Sequence, residues 1–245
     1  MLKGLLAAST GMIVTSRQGT AQGEAHAPEQ QIEIQVTPIS AHTFRLSILP
    51  VINDSVVAIP LDGSLVQESW GAPVVTLRAE PKDTIVLGNL RLRISFRPIR
   101  ITLATEHDEI IQQFAWDQTA RVLSFRIGNS PIFGLGEGGP QFDRRGSTDP
   151  MRSGQGGYQL ATHGGRVPLP WIVGTSGWGI FFHQPHGMFD FTGLQGKFQP
   201  ADAGSALPLD LFVVASADPA TIMTEYARIT GYAEMPPLWS FGYQQ

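Results

Sequence analysis

Pro131-Ile132-Phe133-Gly134-Leu135-Gly136-Glu137 opens the stretch that organises the chain. It runs on through Asp143-Arg144-Arg145-Gly146 and Pro168-Leu169-Pro170-Trp171 to Gly179-Ile180-Phe181-Phe182 and Phe189-Asp190-Phe191. Glycine recurs at 134, 136, 138, 139 and 146, and again at 154, 156, 157, 164, 165, 174, 177, 179 and 187. Glycine at that density implies tight turns and close approach of one backbone to another or to a ligand. Aromatic and charged residues are mixed in, so the stretch reads as a folded loop system between strands rather than a linker. Gly134, Gly136 and Gly139 satisfy G-x-G-x-x-G. A dinucleotide site would need a helix to begin at once, and Pro140-Gln141-Phe142-Asp143 shows no helical period, so that reading is rejected.

Outward from this stretch the pattern is of short strands. Ile32, Ile34 and Val36 alternate with polar residues, as do Phe44, Leu46 and Ile48, with a hairpin expected between them. Residues 50 to 72 look irregular, with a turn at Asp62-Gly63. Further strands are expected at 74–78, 84–87, 90–96 and 99–103. Arg91 and Arg93 there read as the solvated face of an antiparallel strand. Residues 110–116 and 121–127 form a second hairpin pattern. Residues 172–175 and 178–183 are two strands joined at Ser176-Gly177, and 209–214 is a buried strand. The sum is an antiparallel β-sandwich.

The character then changes. Asp218-Pro219 is an N-cap followed by a first-turn proline, Ile222, Met223, Tyr226 and Ile229 share a helical face, and Gly231 suits the C-terminal stop. Pro236-Pro237 breaks the chain, and 238–243 is expected to be a new strand, the opening of a further domain.

Composition narrows the function classes. The 245 residues allow one large or two small domains, and 42% hydrophobic content is ample for a core. A net charge of −4 without a long basic run argues against nucleic acid as a partner. There are no cysteines, which removes disulfides, thiol nucleophiles and thiolate metal sites. Lys3, the apolar run from Leu5 to Val14 and Ala25-His26-Ala27 fit a secretory leader, and with it a secreted or periplasmic location, or else a disordered leader. No stretch is long and apolar enough to span a membrane. The oligomeric state is left open.

His183 and His186 have H-x-x-H spacing with Asp190 as the one nearby third ligand, and are read as ordinary turn or surface histidines. No metal or other cofactor is expected. Glu137 and Asp143 are a carboxylate pair for which structural roles, pairing with Arg144 or Arg145 or binding loop amides, are favoured over acid–base chemistry. No G-x-S-x-G is present. Among the aromatics, alternation puts Trp178 and Phe181 on opposite faces, and Phe142 and Tyr158 are the better ligand candidates.

Taken in order, these segments resemble glycoside hydrolase family 31, the α-glucosidase and α-xylosidase family. Residues 132–137 resemble its Y/F-G-L/F-G-E signature, and 143–146 the N/D-x-R-G that follows. Residues 168–174 resemble the I-P-F-F-I strand, 177–182 resemble G-Y-G-I-F-F, and 189–191 resemble F-D-F/V. The helix from Pro219 to Gly231 and Pro236-Pro237-Leu238-Trp239-Ser240-Phe241-Gly242-Tyr243-Gln244-Gln245 resemble P-x-x-V-x-x-x-Y-x-x-L-T-G and P-P-x-W-A-L-G-Y-Q-Q. A leader, signal or disordered, is expected at 1–28 from its residue pattern, and the resemblance implies a mutarotase-like sandwich over 29–216. It also implies a connecting helix with the first strand of a truncated (β/α)8 barrel over 217–245. It implies a retaining enzyme for terminal α-linked sugars, with an oligosaccharide or α-glycoside as partner. The family's two catalytic aspartates lie on later barrel strands, so these residues alone are expected to be inactive. A family aspartate on a sandwich loop bonds sugar hydroxyls. Counting back from Tyr158 puts Gly154 in its place, so either Asp149 takes the role or the contact is lost, and Asp149 also fits as the start of a turn before Pro150. The alternative is a stand-alone carbohydrate-binding sandwich.

Overall fold

The computed structural model describes residues 30–242 except 79, 140, 153–165, 185 and 202–207. The expected leader at 1–28, Gly154 and Tyr158 lie outside the described residues. In chain order the strands are β1 Ile32–Pro38, β2 Thr43–Ile52, β3 Ser55–Val56, β4 Val75–Leu77, β5 Lys82–Leu87, β6 Leu90–Ser95, β7 Ile99–Thr105 and β8 Ile110–Asp117. They continue as β9 Val122–Arg126, β10 Ile132–Gly134, β11 Thr148–Asp149, β12 Trp171–Gly174, β13 Trp178–Phe182, β14 Gly187–Asp190, β15 Gln195–Pro200 and β16 Leu209–Ala215. A helix, α1, spans Pro219–Thr230.

The strands form two antiparallel sheets. The first runs β10-β12-β13-β16-β2-β1-β4 with β3 added to β2, and the second runs β11-β14-β15-β9-β8-β7-β6-β5. The period-2 alternation explains the sandwich. Ile34, Leu46, Ile180, Leu211 and Val213 from one sheet bury against Leu92, Ile94, Phe114, Phe125 and Phe198 from the other. Phe182 meets Phe189 and Phe198 at ring-centroid distances of 4.8 Å in both cases, in the tilted and edge-on arrangements that aromatic clusters favour.

A third layer explains why every residue of β16 is buried. Its alternate residues Phe212 and Val214 face away from the sandwich core and pack under α1 with Trp171, Phe181, Ile222 and Ile229. Trp171 stacks on Tyr226 at 4.7 Å. The helix starts where expected, with Asp218 accepting from the amides of Ala220 and Thr221. The irregular segment 57–74 lies over the same face. Trp70 meets Phe212 edge-on at 5.3 Å, and the Val66 amide donates to the Ile229 carbonyl.

A charge network pins that layer. Asp210 is fully buried and accepts from Arg45 Nε and Nη2, from Ser47 Oγ at 2.7 Å and from His183 Nδ1 at 2.8 Å. His183 Nε2 sits 3.0 Å from Asp62 Oδ1 on the 57–74 segment. With a carboxylate oxygen at each ring nitrogen, only the doubly protonated imidazolium can donate to both. His183, expected as a turn or surface residue, is therefore corrected to a buried link at the end of β13. The covering segment, distant in sequence, is what buries it.

Burial alone would lower the His183 pKa, but the bonds and charges of Asp210 and Asp62 outweigh it and raise it above 6.5. Its stabilisation is complete below pH 6.5 and fades as pH rises through the raised value. Burial opposes ionisation of Asp210 and Asp62 too, yet their partners hold both below 3.8, so their stabilisation is present above 3.8 and lost in acid. Stability is expected to be greatest between those limits. Urea midpoints measured from acid to alkaline pH should fall on the alkaline side in the wild type and stay flat there in His183→Gln. An unchanged alkaline slope in the variant would remove His183 as the cause.

The strand expected over 238–243 is not formed over its described residues, 238–242. Leu238–Phe241 is a 3-10 turn closed by the local bonds Ser240 N–H to Pro237 O and Gly242 N–H to Trp239 O. A strand needs a neighbour for its backbone groups, and no described strand lies beside this segment.

Candidate functional site

The loop after β10 is shaped by backbone geometry first. Gly134, Gly136, Gly138 and Gly139 all have positive φ, and so does the buried Leu135, at 61°. At Gly136 a Cβ would overlap the Val167 carbonyl oxygen and the Leu169 amide. The close approach anticipated from the glycines is thus backbone against backbone. It carries the bonds Leu135 N–H to Trp171 O and Glu137 N–H to Val167 O.

Two arginines then grip the loop from opposite sides. Arg144 donates to the carbonyls of Gly134, Gly136 and Gly138, at 2.9, 3.4 and 2.9 Å. Arg166 donates to the carbonyls of Leu135 and Glu137, at 2.6 and 2.8 Å. Even-numbered carbonyls go to one guanidinium and odd-numbered carbonyls to the other. Asp143 Oδ1 accepts from the amides of Ile132 and Arg145, the loop-amide role expected of it.

Asp149 closes the cage. It is 3% exposed, its Oδ2 lies 2.5 Å from Arg166 Nη2, and its Oδ1 accepts from the Met151 amide at 2.9 Å. The turn beginning at Asp149 is therefore formed. One carboxylate here serves two cations. Burial lowers the Arg144 pKa, Asp149 opposes that, and Arg166 adds to it. The Arg144 Nη1 group is buried without a hydrogen-bond partner.

In front of the cage is a pocket of about 340 Å³ bordered by Phe133, Glu137, Gln141, Phe142 and Arg144. Phe133 is 41% and Phe142 85% exposed. Gln141 Nε2 is spent on the carbonyls of Asp143 and Arg145, so the pocket offers exposed aromatic faces beside the Glu137 carboxylate, a stacking surface with an acceptor that suits the hydroxyls of a ligand. Glu137 and Phe142 meet at this pocket. His183 lies in the network on the outer sheet face, and His186 borders a different cleft, with Met151 and Arg152. Among the described residues no group of three potential ligands could hold a metal ion. Sequence reasoning missed Arg166, which lies 17 residues from Asp149 with no pattern linking them. It also missed the Asp210 network, although an aspartate inside Leu209-Asp210-Leu211 is itself a signal that a partner must exist.

No family model matches the chain. An α-xylosidase of Lactiplantibacillus pentosus is 23% identical over 146 residues, 57% of this chain and 19% of the relative. An α-glucosidase of Bacillus thermoamyloliquefaciens is 26% identical over 180 residues, 67% of this chain and 21% of the relative. The family 31 dextranase of Flavobacterium johnsoniae, solved with isomaltotriose, superimposes with a TM-score of 0.63 at 18% identity, over 86% of this chain and 27% of that one. The chain is similar to enzymes of glycoside hydrolase family 31. It spans about a fifth of the length of its curated family 31 relatives. The fold it shares with the family 31 structures is the antiparallel sandwich.

Proposed function

We propose that the chain supplies the β-sandwich of a retaining α-glycosidase acting on terminal α-linked sugars, with the arginine-gripped loop presented toward the sugar. One observation carries the reading. Segments 132–137, 143–146 and 168–174, which resemble family 31 in sequence, are the segments that converge on this loop and pocket. In this reading residues 29–216 are the sandwich, and 217–245 are the connecting helix and the start of a barrel. Leu238, Trp239 and Phe241 are 90, 75 and 67% exposed, which supports a packing role for that segment.

A retaining mechanism needs two carboxyl groups about 5 Å apart across the sugar. The buried carboxylates described here are all engaged. Glu33 pairs with Arg78, Asp149 with Arg166 and Asp210 with Arg45, while Glu225 accepts from Ser40 and Thr43. The 245-residue chain is therefore expected to release no aglycone from aryl α-glucosides or α-xylosides. The same chain continued in frame with the coding sequence that follows Gln245 is expected to do so. Hydrolysis by the 245 residues alone would overturn the assignment. Absence of any encoded barrel would leave a sugar-binding sandwich as the function.

Asp149 enters as a sugar-binding residue through the lone pairs left after its bonds to Met151 and Arg166. In the longer enzyme Asp149→Asn is expected to raise KM about tenfold or more, the loss of one charge-assisted hydrogen bond. An unchanged KM assigns Asp149 to the turn alone.

A further inference from the structure

A larger cleft of about 900 Å³ lies where the ends of β1 and β2 meet the β6–β7 and β8–β9 turns. Its volume suits a small ligand. Trp116 on its wall is 4% exposed, and the indole Nε1 is buried without an acceptor. Gln118, also on the wall, has its amide Oε1 buried without a donor. Native structures leave few such groups unpaired. One needs an acceptor and the other a donor. Hydroxyl groups supply both, whereas a carboxylate supplies only the first.

Charge adds a second requirement. Arg97 and Arg100 border the cleft and are exposed, and their side chains make no hydrogen bond or ion pair among the described residues. Arg78 is held by Glu33, and Asp117 Oδ1 accepts from the amides of Thr119 and Ala120 within its own turn. With those two set aside, two guanidinium groups face one further carboxylate, Asp54. Unpaired guanidinium groups are suited to bidentate binding of a carboxylate.

We propose that this cleft binds an acidic oligosaccharide, a glycan carrying uronate groups. Its hydroxyls meet Trp116 and Gln118, and its carboxylates meet Arg97 and Arg100. The assignment is independent of the glycosidase reading.

Calorimetric titration of the 245-residue chain with trigalacturonate and with maltotriose tests it. Trigalacturonate should bind at least about tenfold more tightly, and more weakly as salt rises. The double variant Arg97→Gln/Arg100→Gln should abolish the preference. Trp116→Phe keeps a ring in the core but lacks the N–H, and should weaken binding of the acidic sugar. If that variant does not fold, Gln118→Ala in the turn reads the same loss. No binding, equal affinity for the two sugars, or unchanged binding in the double arginine variant would each overturn the proposal.

Discussion

Replacing Asp210 with alanine is expected to lower the unfolding free energy by about 3–5 kcal/mol, the usual cost of stranding one member of a buried ion pair. The substitution removes the acceptor for Arg45, Ser47 and His183 together. Arg45 is only 15% exposed and its guanidinium lies 5.2 Å from the centre of the Phe212 ring, so water replaces the lost partner only in part. The covering layer should loosen with it, because the Asp62 contact of segment 57–74 runs through His183. Replacing both charges, as Arg45→Met with Asp210→Leu, should recover much of the loss, since well-packed apolar pairs often match buried ion pairs. Equilibrium urea unfolding reads both variants. A loss near 1 kcal/mol or less for Asp210→Ala would class the site as solvent-accessible, where ion pairs contribute little.

Arg166→Ala is the second large effect, again about 3–5 kcal/mol. It leaves the buried Asp149 carboxylate without its ion-pair partner, the Leu135 carbonyl without its donor and the Glu137 carbonyl with the Val167 amide alone. Leu135 keeps its left-handed backbone only because its neighbours hold it, so the loop should relax once released. A double-mutant cycle separates the contributions. Asp149→Ala alone should also be costly, and the pair of substitutions should cost clearly less than the two single values added. Strict additivity would mean that the two side chains do not act together in solution.

The sandwich was legible because strand period, turn residues and the helix cap are local signals. Leu90 to Phe96 alternates cleanly, and it forms β6 with Leu92 and Ile94 buried. The Asp218 cap and Pro219 start fixed α1 to the residue. What could not be read were contacts set by the fold across long separations. His183 looked like a turn histidine because Asp62 lies 121 residues away. Leu238 to Phe241 looked like a strand because β propensity reports on side chains, whereas a strand forms only beside a partner. At the site, the glycines announced a close approach, but the identity of the second arginine was invisible. Phe142 was singled out as a loop aromatic, and it does flank the pocket.

The alternating grip of Arg144 and Arg166 has a bearing on how this surface can change over time. Every bond in that grip goes to the main chain, so the path of residues 134–138 does not depend on the side chains that point outward. Phe133 and Glu137 can therefore be exchanged by mutation without redrawing the loop beneath them. Such an arrangement separates inheritance of shape from inheritance of taste, leaving the pocket wall open to drift toward new ligands on an unchanged frame.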